Sequence, residues 1–156
     1  LCITGGEPLL HGDDVATLLT LFVTSVLECD VEVFTNGSLP PPSWSPLVTT
    51  FIADVKCPSS GTQSECARDW FKMRPTDQVK FVVADRFDLA YVDSLNPAKY
   101  CRPEVLISPM TPVSRQFVEG DNYMTWVHEV VEYCKVHNYR FSWQLHKLLW
   151  GNRRGV

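Results

Sequence analysis

The chain has 156 residues, 45% of them hydrophobic and 21% charged, with a formal net charge of -4. That length and apolar content supply the core of one domain, spanning residues 1–156, and argue against disorder. Lys and Arg form no basic stripe for nucleic acid, no apolar run reaches the roughly 18–20 residues that cross a membrane, and the first residues carry no charged leader with a cleavage site. A cytoplasmic protein without nucleic-acid or membrane partners is expected.

Leu1 to Thr4 read as a buried strand running into the tight turn Thr4-Gly5-Gly6-Glu7-Pro8. The two glycines let backbone pass close to a ligand, and Glu7 is placed to meet a cation or a hydrogen-bond donor, such as a ligand ammonium. Because the first residue, Leu1, already sits inside a strand-like run, the chain is expected to continue upstream. Asp13 or Asp14 then caps a helix whose apolar stripe is Val15, Leu18, Leu19, Phe22 and Val26, ending near Glu28.

Val31-Glu32-Val33-Phe34 is a second strand, stopping at Thr35-Asn36-Gly37. The proline-rich stretch from Ser38 to Pro46 reads as an extended surface loop, either a connector or a lid. Phe51 to Val55 forms the third strand and delivers Lys56, Cys57, Pro58, Ser59, Ser60 and Gly61 to its end; a helix from about Glu65 to Met73 follows. Gln78 to Val83 is the fourth strand, Phe87 to Leu95 a short helix, and Val105 to Ile107 the fifth strand, closing on a Ser108-Pro109 turn. A long helix over Tyr123 to His137 precedes a last strand, Arg140 to Trp143, which runs into Gln144-Leu145-His146.

Short apolar strands alternating with helices indicate an α/β fold with a mainly parallel sheet, curved or barrel-like. Ligands bind at the carboxyl ends of such strands, and the polar turns at Glu7, Asn36, Lys56, Ser108 and His146 all fall there. The six cysteines include no C-x-x-C pair and read as reduced packing residues rather than a zinc framework. His11, His128 and His137 read as ordinary helical or pre-helical residues. The tryptophans read mostly as core, with Trp143 or Trp150 available to wall a pocket.

Four segments in this order, Thr4-Gly5-Gly6-Glu7-Pro8, Thr35-Asn36-Gly37, Asp54-Val55-Lys56 through Gly61, and Gln144-Leu145-His146-Lys147-Leu148-Leu149-Trp150-Gly151 with Arg154-Gly155-Val156, resemble the radical S-adenosylmethionine superfamily. Within it they are most similar to the ring-contracting enzymes of 7-deazapurine (queuosine-type) biosynthesis. The G-G-E-P turn points to the superfamily alone, whereas the Q-L-H-K-L-L-W-G tail is far more specific. The resemblance implies a partial, open parallel β/α barrel of the radical SAM type that lacks its first strand, hence the carboxyl-terminal portion of a longer enzyme.

The resemblance also implies the site. Gly5, Gly6, Glu7, Asn36, Ser108 and Pro109 would lie along S-adenosylmethionine. Lys56, Ser59, Ser60, Gln144, His146, Arg154 and Val156 would meet a pterin substrate. A 4Fe-4S cluster is held in that superfamily by three closely spaced cysteines before the G-G-E-P strand, and a hydroxyl beside the same loop helps bind Mg2+ (magnesium). This sequence has no such cysteine triplet, so both sets of ligands are expected upstream and the chain alone should show no turnover.

The implied reaction is that of a radical carbon–nitrogen lyase converting 6-carboxy-5,6,7,8-tetrahydropterin to 7-carboxy-7-deazaguanine, fed by an electron donor such as flavodoxin. A homodimer is common among such enzymes, although no apolar stripe here specifies one. Other readings stay open: an activase that installs an organic radical on a partner protein, a paralogue that keeps a nucleoside or pterin pocket as a binding module, or an unrelated α/β domain. An open barrel edge predicts marginal solubility for the isolated piece.

Overall fold

The computed structural model describes residues 1–26, 29–62, 65–111 and 121–151, with backbone only at 121, 122, 146 and 148. Six strands lie side by side in chain order, each neighbouring pair parallel: β1 (Cys2–Ile3), β2 (Glu32–Thr35), β3 (Thr50–Val55), β4 (Gln78–Val83), β5 (Glu104–Pro109) and β6 (Arg140–Phe141). β1 and β6 are the two edges, so the sheet is open rather than a closed barrel. The fold is α/β, as the strand and helix alternation predicts.

Parallel neighbours require crossovers. α1 (Gly12–Ser25) lies between β1 and β2, α2 (Ala67–Trp70) between β3 and β4, α3 (Arg86–Leu95) and α4 (Pro97–Tyr100) between β4 and β5, and α5 (Asp121–His137) between β5 and β6. α6 (Leu145–Trp150) follows the last strand. β2 and β3 are joined without an α-helix, by the proline-rich loop and a 3-10 turn at Ser45–Leu47. Trp70 anchors that loop: its indole Nε1 donates to the Leu39 carbonyl at 2.9 Å, and its ring packs 5.5 Å from Phe51.

Period-two alternation puts Phe51, Ala53 and Val55 of β3 and Val79, Phe81 and Val83 of β4 on one face, all fully buried. Helices cover that face through Val15 and Leu19 of α1, Leu89 and Val92 of α3, and Val130 and Cys134 of α5. At the amino ends of the strands, the buried Asp77 accepts from the Phe51 amide at 2.9 Å and from both Nε and Nη2 of Arg74, at 3.0 and 2.8 Å. A bidentate guanidinium of this kind satisfies a carboxylate that burial would otherwise penalise. No helix among the described residues is long and apolar enough to cross a membrane.

Several boundaries differ from the sequence reading. α1 is capped by neither Asp13 nor Asp14: its N-cap is His11, and the two acids sit in the first turn, where the helix dipole favours them. Its buried stripe is narrower than expected, because Leu18 and Val26 are exposed. The Glu65-to-Met73 helix shrinks to α2, since the amides of Lys72 and Met73 bond only three residues back, to Asp69 and Trp70, tightening the chain ahead of Pro75. Ser108 and Pro109 belong to β5 rather than to a turn. β6 ends at Phe141, so Trp143 has left the ladder, and its Nε1 donates to the Tyr123 hydroxyl at 3.2 Å. α4 was not foreseen, although Asn96 in the left-handed region followed by Pro97 at the first helical position is its start signal.

Candidate functional site

The β1 turn carries Gly5 at φ +89° and Gly6 at φ +58°, a left-handed pair that L side chains resist, and a Cβ built on either would meet only open space. Backbone is therefore exposed to whatever lies above the turn. Glu7 is turned the other way. It is 8% exposed, and its carboxylate accepts from the Leu9 amide at 3.1 Å, the Thr35 hydroxyl at 2.8 Å and the Asn36 amide at 2.7 Å. Those bonds fill three of about four acceptor positions. Within the described chain, Glu7 locks the β1 turn to the end of β2.

Asn36 continues the same scaffold. Its side-chain oxygen accepts from the Ser38 amide at 2.9 Å, and Gly37 follows at φ +68°. A Cβ on Gly37 would approach the Asp54 carbonyl oxygen to 3.2 Å, so glycine is what lets β2 and β3 close up at their carboxyl ends. A cavity of about 240 Å³ opens there. Thr4, Gly5 and Gly6 form one wall, Thr35 and Asn36 a second, and Asp54 and Lys80 a third.

Asp54 also borders a second cavity, of about 300 Å³, with Lys56, Ser59, Ser60, Gln144 and Lys147. Four expected substrate residues, Lys56, Ser59, Ser60 and Gln144, are thus brought together. Lys56 pairs with Asp54 Oδ2. The other carboxylate oxygen, Asp54 Oδ1, is buried with no hydrogen-bond partner, and so is Gln144 Oε1. Buried acceptors without donors are rare in folded proteins, and both sit at the cavity walls.

The two serines have work inside the fold. Ser59 gives its amide to Asp88 Oδ1 at 3.0 Å and its hydroxyl to Asp88 Oδ2 at 2.5 Å, while the Ser60 hydroxyl donates to the Cys57 carbonyl at 2.7 Å. Asp88 is fully buried and also accepts from the Ala84 amide at 2.8 Å, so it braces the 57–62 loop against the start of α3. Sequence reasoning missed Asp88. Its signal was the D-x-x-D spacing from the N-cap Asp85, which usually marks nothing beyond a helix start.

Lys80 was missed as well. It lies beside Asp54 in the β3–β4 register, on the face away from the helices. Burial lowers its pKa, Asp54 raises it, and the ammonium groups of Lys147 and Lys56 lower it further. Cys57, also at the second cavity, has its thiol pushed up to about 12, chiefly by burial.

Ser108 and Pro109 line neither cavity; Ser108 is buried in β5 with its hydroxyl unpartnered. The backbone of His146 lies in α6, and its side chain is outside the described residues, as are Arg154 and Val156. Trp150 is exposed, and Trp143 is half-buried on Tyr123.

Backbone presented by two glycines beside Asp54, whose Oδ1 is buried without a donor while Oδ2 is taken by Lys56, suits an ammonium-bearing ligand. For the iron–sulfur cluster the described residues do not fit: no group of three or more His, Cys, Asp or Glu side chains among them could hold a metal ion.

Fold and site together define an α/β protein with an open parallel sheet and a ligand site along its carboxyl edge. Comparison with known proteins finds three similar to the chain, each called 7-carboxy-7-deazaguanine synthase. The one from Methanospirillum hungatei JF-1 is 34% identical over 151 residues, covering 96% of this chain. Those from Clostridium acetobutylicum and Koribacter versatilis are 29% and 27% identical over 99% and 95% of it. The chain spans 58% of the Methanospirillum protein and 68% and 67% of the other two. No family model matches.

Proposed function

We propose that this chain supplies the cofactor- and substrate-binding sheet of a 7-carboxy-7-deazaguanine synthase. The observation that carries the reading is the junction at Asp54, where the glycine turn of β1, the Asn36 turn, Lys56 and Gln144 converge around two buried acceptors that lack donors. The family resemblance and the three homologues support the same assignment.

On this reading the substrate is 6-carboxy-5,6,7,8-tetrahydropterin and the reaction a radical ring contraction with loss of ammonia. S-adenosylmethionine supplies the hydrogen-abstracting radical when bound with a reduced 4Fe-4S cluster. The cluster and magnesium ligands, the flavodoxin-type electron donor and any dimer contacts are assigned to the rest of the protein and its partners.

What this chain's own residues contribute is placement. The Gly5-Gly6 backbone and Asp54 Oδ1 receive an ammonium, Glu7 and Thr35 keep the two turns in register, and Gln144 Oε1 accepts from an amide-like edge of the substrate. Asp88 fixes the Ser59 loop that closes the second cavity. Holding a reactive carbon–hydrogen bond at one fixed position is the protein's share in such chemistry, since the cofactor carries the hard step.

The test is an anaerobic assay of the full-length protein, loaded with iron and sulfide, for conversion of the carboxypterin to 7-carboxy-7-deazaguanine by mass spectrometry. Product formation is expected, with none from residues 1–156 alone. A fully loaded protein that binds S-adenosylmethionine yet leaves the pterin unchanged sinks the assignment.

A further inference from the structure

The opposite end of the sheet carries a cavity that the Asp54 junction does not use. It holds about 550 Å³, more than either cavity at the carboxyl edge. Pro46 comes from the 3-10 turn before β3, Met73, Arg74 and Pro75 from the stretch before β4, and Arg102 from the link before β5. These are the amino ends of the strands, and a strand of six residues spans about 20 Å, so the cavity stands a strand's length away from the Asp54 junction.

Its charge is one-sided. Lys72, Arg74 and Arg102 line it, and no acidic side chain does among the described lining residues, on a chain whose formal net charge is -4. Arg74 is clamped from behind, for Nε and Nη2 hold Asp77 and Nη1 donates to the Val48 carbonyl at 2.8 Å. That clamp fixes the guanidinium and leaves part of its N–H fork unused. Lys72 meets Asp69 at 3.0 Å, in a pair whose side chains are 73% and 50% exposed and which water therefore screens. The Arg102 amide is tied to the Phe71 carbonyl at 2.9 Å, but its guanidinium makes no hydrogen bond or ion pair among the described residues.

Pro46, Met73 and Pro75 supply apolar wall, and the two prolines have little backbone freedom left to lose on binding. A volume in the range of small-molecule sites, apolar walls and convergent cations describe a receptor for a small organic anion. A guanidinium presents paired N–H groups that match a phosphate, and a phosphate dianion satisfies Arg102 and Lys72 together where a single carboxylate charge does not. We propose that this amino-end cavity binds a nucleoside monophosphate, with Arg102 and Lys72 on the phosphate and the base against Met73 and the two prolines. The site goes beyond the proposed function and shares no residue with the two Asp54 cavities.

The experiment titrates uridine and guanosine 5'-monophosphates, the two nucleosides and inorganic phosphate into the full-length protein by calorimetry. At least one monophosphate is expected to bind at least about tenfold more tightly than its nucleoside and than inorganic phosphate, with affinity falling as salt is raised. Arg102→Met should weaken that binding about tenfold or more, and Arg102→Lys less, because lysine keeps the charge without the fork. Lys72→Met should weaken it about threefold or more. The thermal midpoint of the unliganded protein and its S-adenosylmethionine affinity should stay unchanged in all three.

A monophosphate that binds Arg102→Met as well as wild type sits elsewhere and overturns the inference. Inorganic phosphate that matches the monophosphates, or no monophosphate binding below about 1 mM, overturns it too. So does loss of binding in Arg102→Met and Lys72→Met accompanied by a lowered midpoint in both, since these residues would then be structural. None of these results touches the proposed function, and a failed pterin assay leaves this site standing.

Discussion

The Asn36 amide donates to Glu7 Oε2 at 2.7 Å, across 29 residues of sequence, and this bond joins the turn after β1 to the turn after β2. The same carboxylate takes the Thr35 hydroxyl through its other oxygen, at 2.8 Å. One buried side chain therefore sets the relative height of both turns that wall the first cavity.

Glu7→Gln replaces one acceptor with an NH2 that must face a donor. Either Asn36 or the Leu9–Thr35 pair then loses its partner, at about 1–3 kcal/mol for an unmade buried bond. Urea unfolding should show that loss, and S-adenosylmethionine affinity of the full-length protein should fall about tenfold as the turns drift. Unchanged stability and affinity would mean that the bond does not hold the site.

Asp88 and Ser59 form a second long-range tie, also 29 residues apart. Asp88→Asn leaves either the Ser59 amide, or the Ala84 amide together with the Ser59 hydroxyl, facing an NH2 and should cost about 2 kcal/mol, more than Ser59→Ala, which removes one bond. The two changes share a partner, so their double-mutant cycle should show a coupling of about 1 kcal/mol or more. Additive effects would deny that Asp88 works through Ser59.

Much of this architecture could be read before the structure was seen. Gln78 to Val83 alternates without interruption, and β4 occupies those residues because one parity packs under the helices and the other faces the cavities. The glycine turn and the Lys56-to-Gly61 loop announced themselves by residue type. Lys80 did not, because a lysine at the outward parity of a strand looks like an ordinary solvated position. What sets it apart is Asp54 beside it on the neighbouring strand and the cavity that both line. Glu7 was marked by its turn, but its partners Thr35 and Asn36, like Asp88's partner Ser59, lie 28 or 29 residues away, and local pattern carries no trace of those ties.

Trp70→Phe keeps most of the buried ring and removes one indole donor, leaving the Leu39 carbonyl unpartnered. A loss of about 1–2 kcal/mol is expected in denaturant unfolding. Proteolysis should become faster within the 38–46 loop, the segment that bond pins. Equal cutting rates in variant and wild type would show that the loop is held by its prolines alone.

The thiols predict a pH dependence whose sign follows from burial. Cys57 and Cys101 are pushed up to about 12 and Cys134 to about 11, burial being the leading cause in each. Below the ordinary value of 9.0 all three are protonated in folded and unfolded chains alike and contribute no pH dependence. Between 9.0 and about 12 the unfolded chain sheds these protons while the fold keeps them, so it binds fewer protons and stability falls as pH rises. Urea midpoints should therefore drop from pH 8.5 to 10.5, less steeply in Cys57→Ala. In a brief iodoacetamide pulse at pH 8, the exposed Cys2 should be alkylated while Cys57 stays unmodified, because a thiol of pKa about 12 is about one part in ten thousand thiolate there. Peptide mass spectrometry reads both sites at once, and equal labelling would mean that Cys57 is neither buried nor raised.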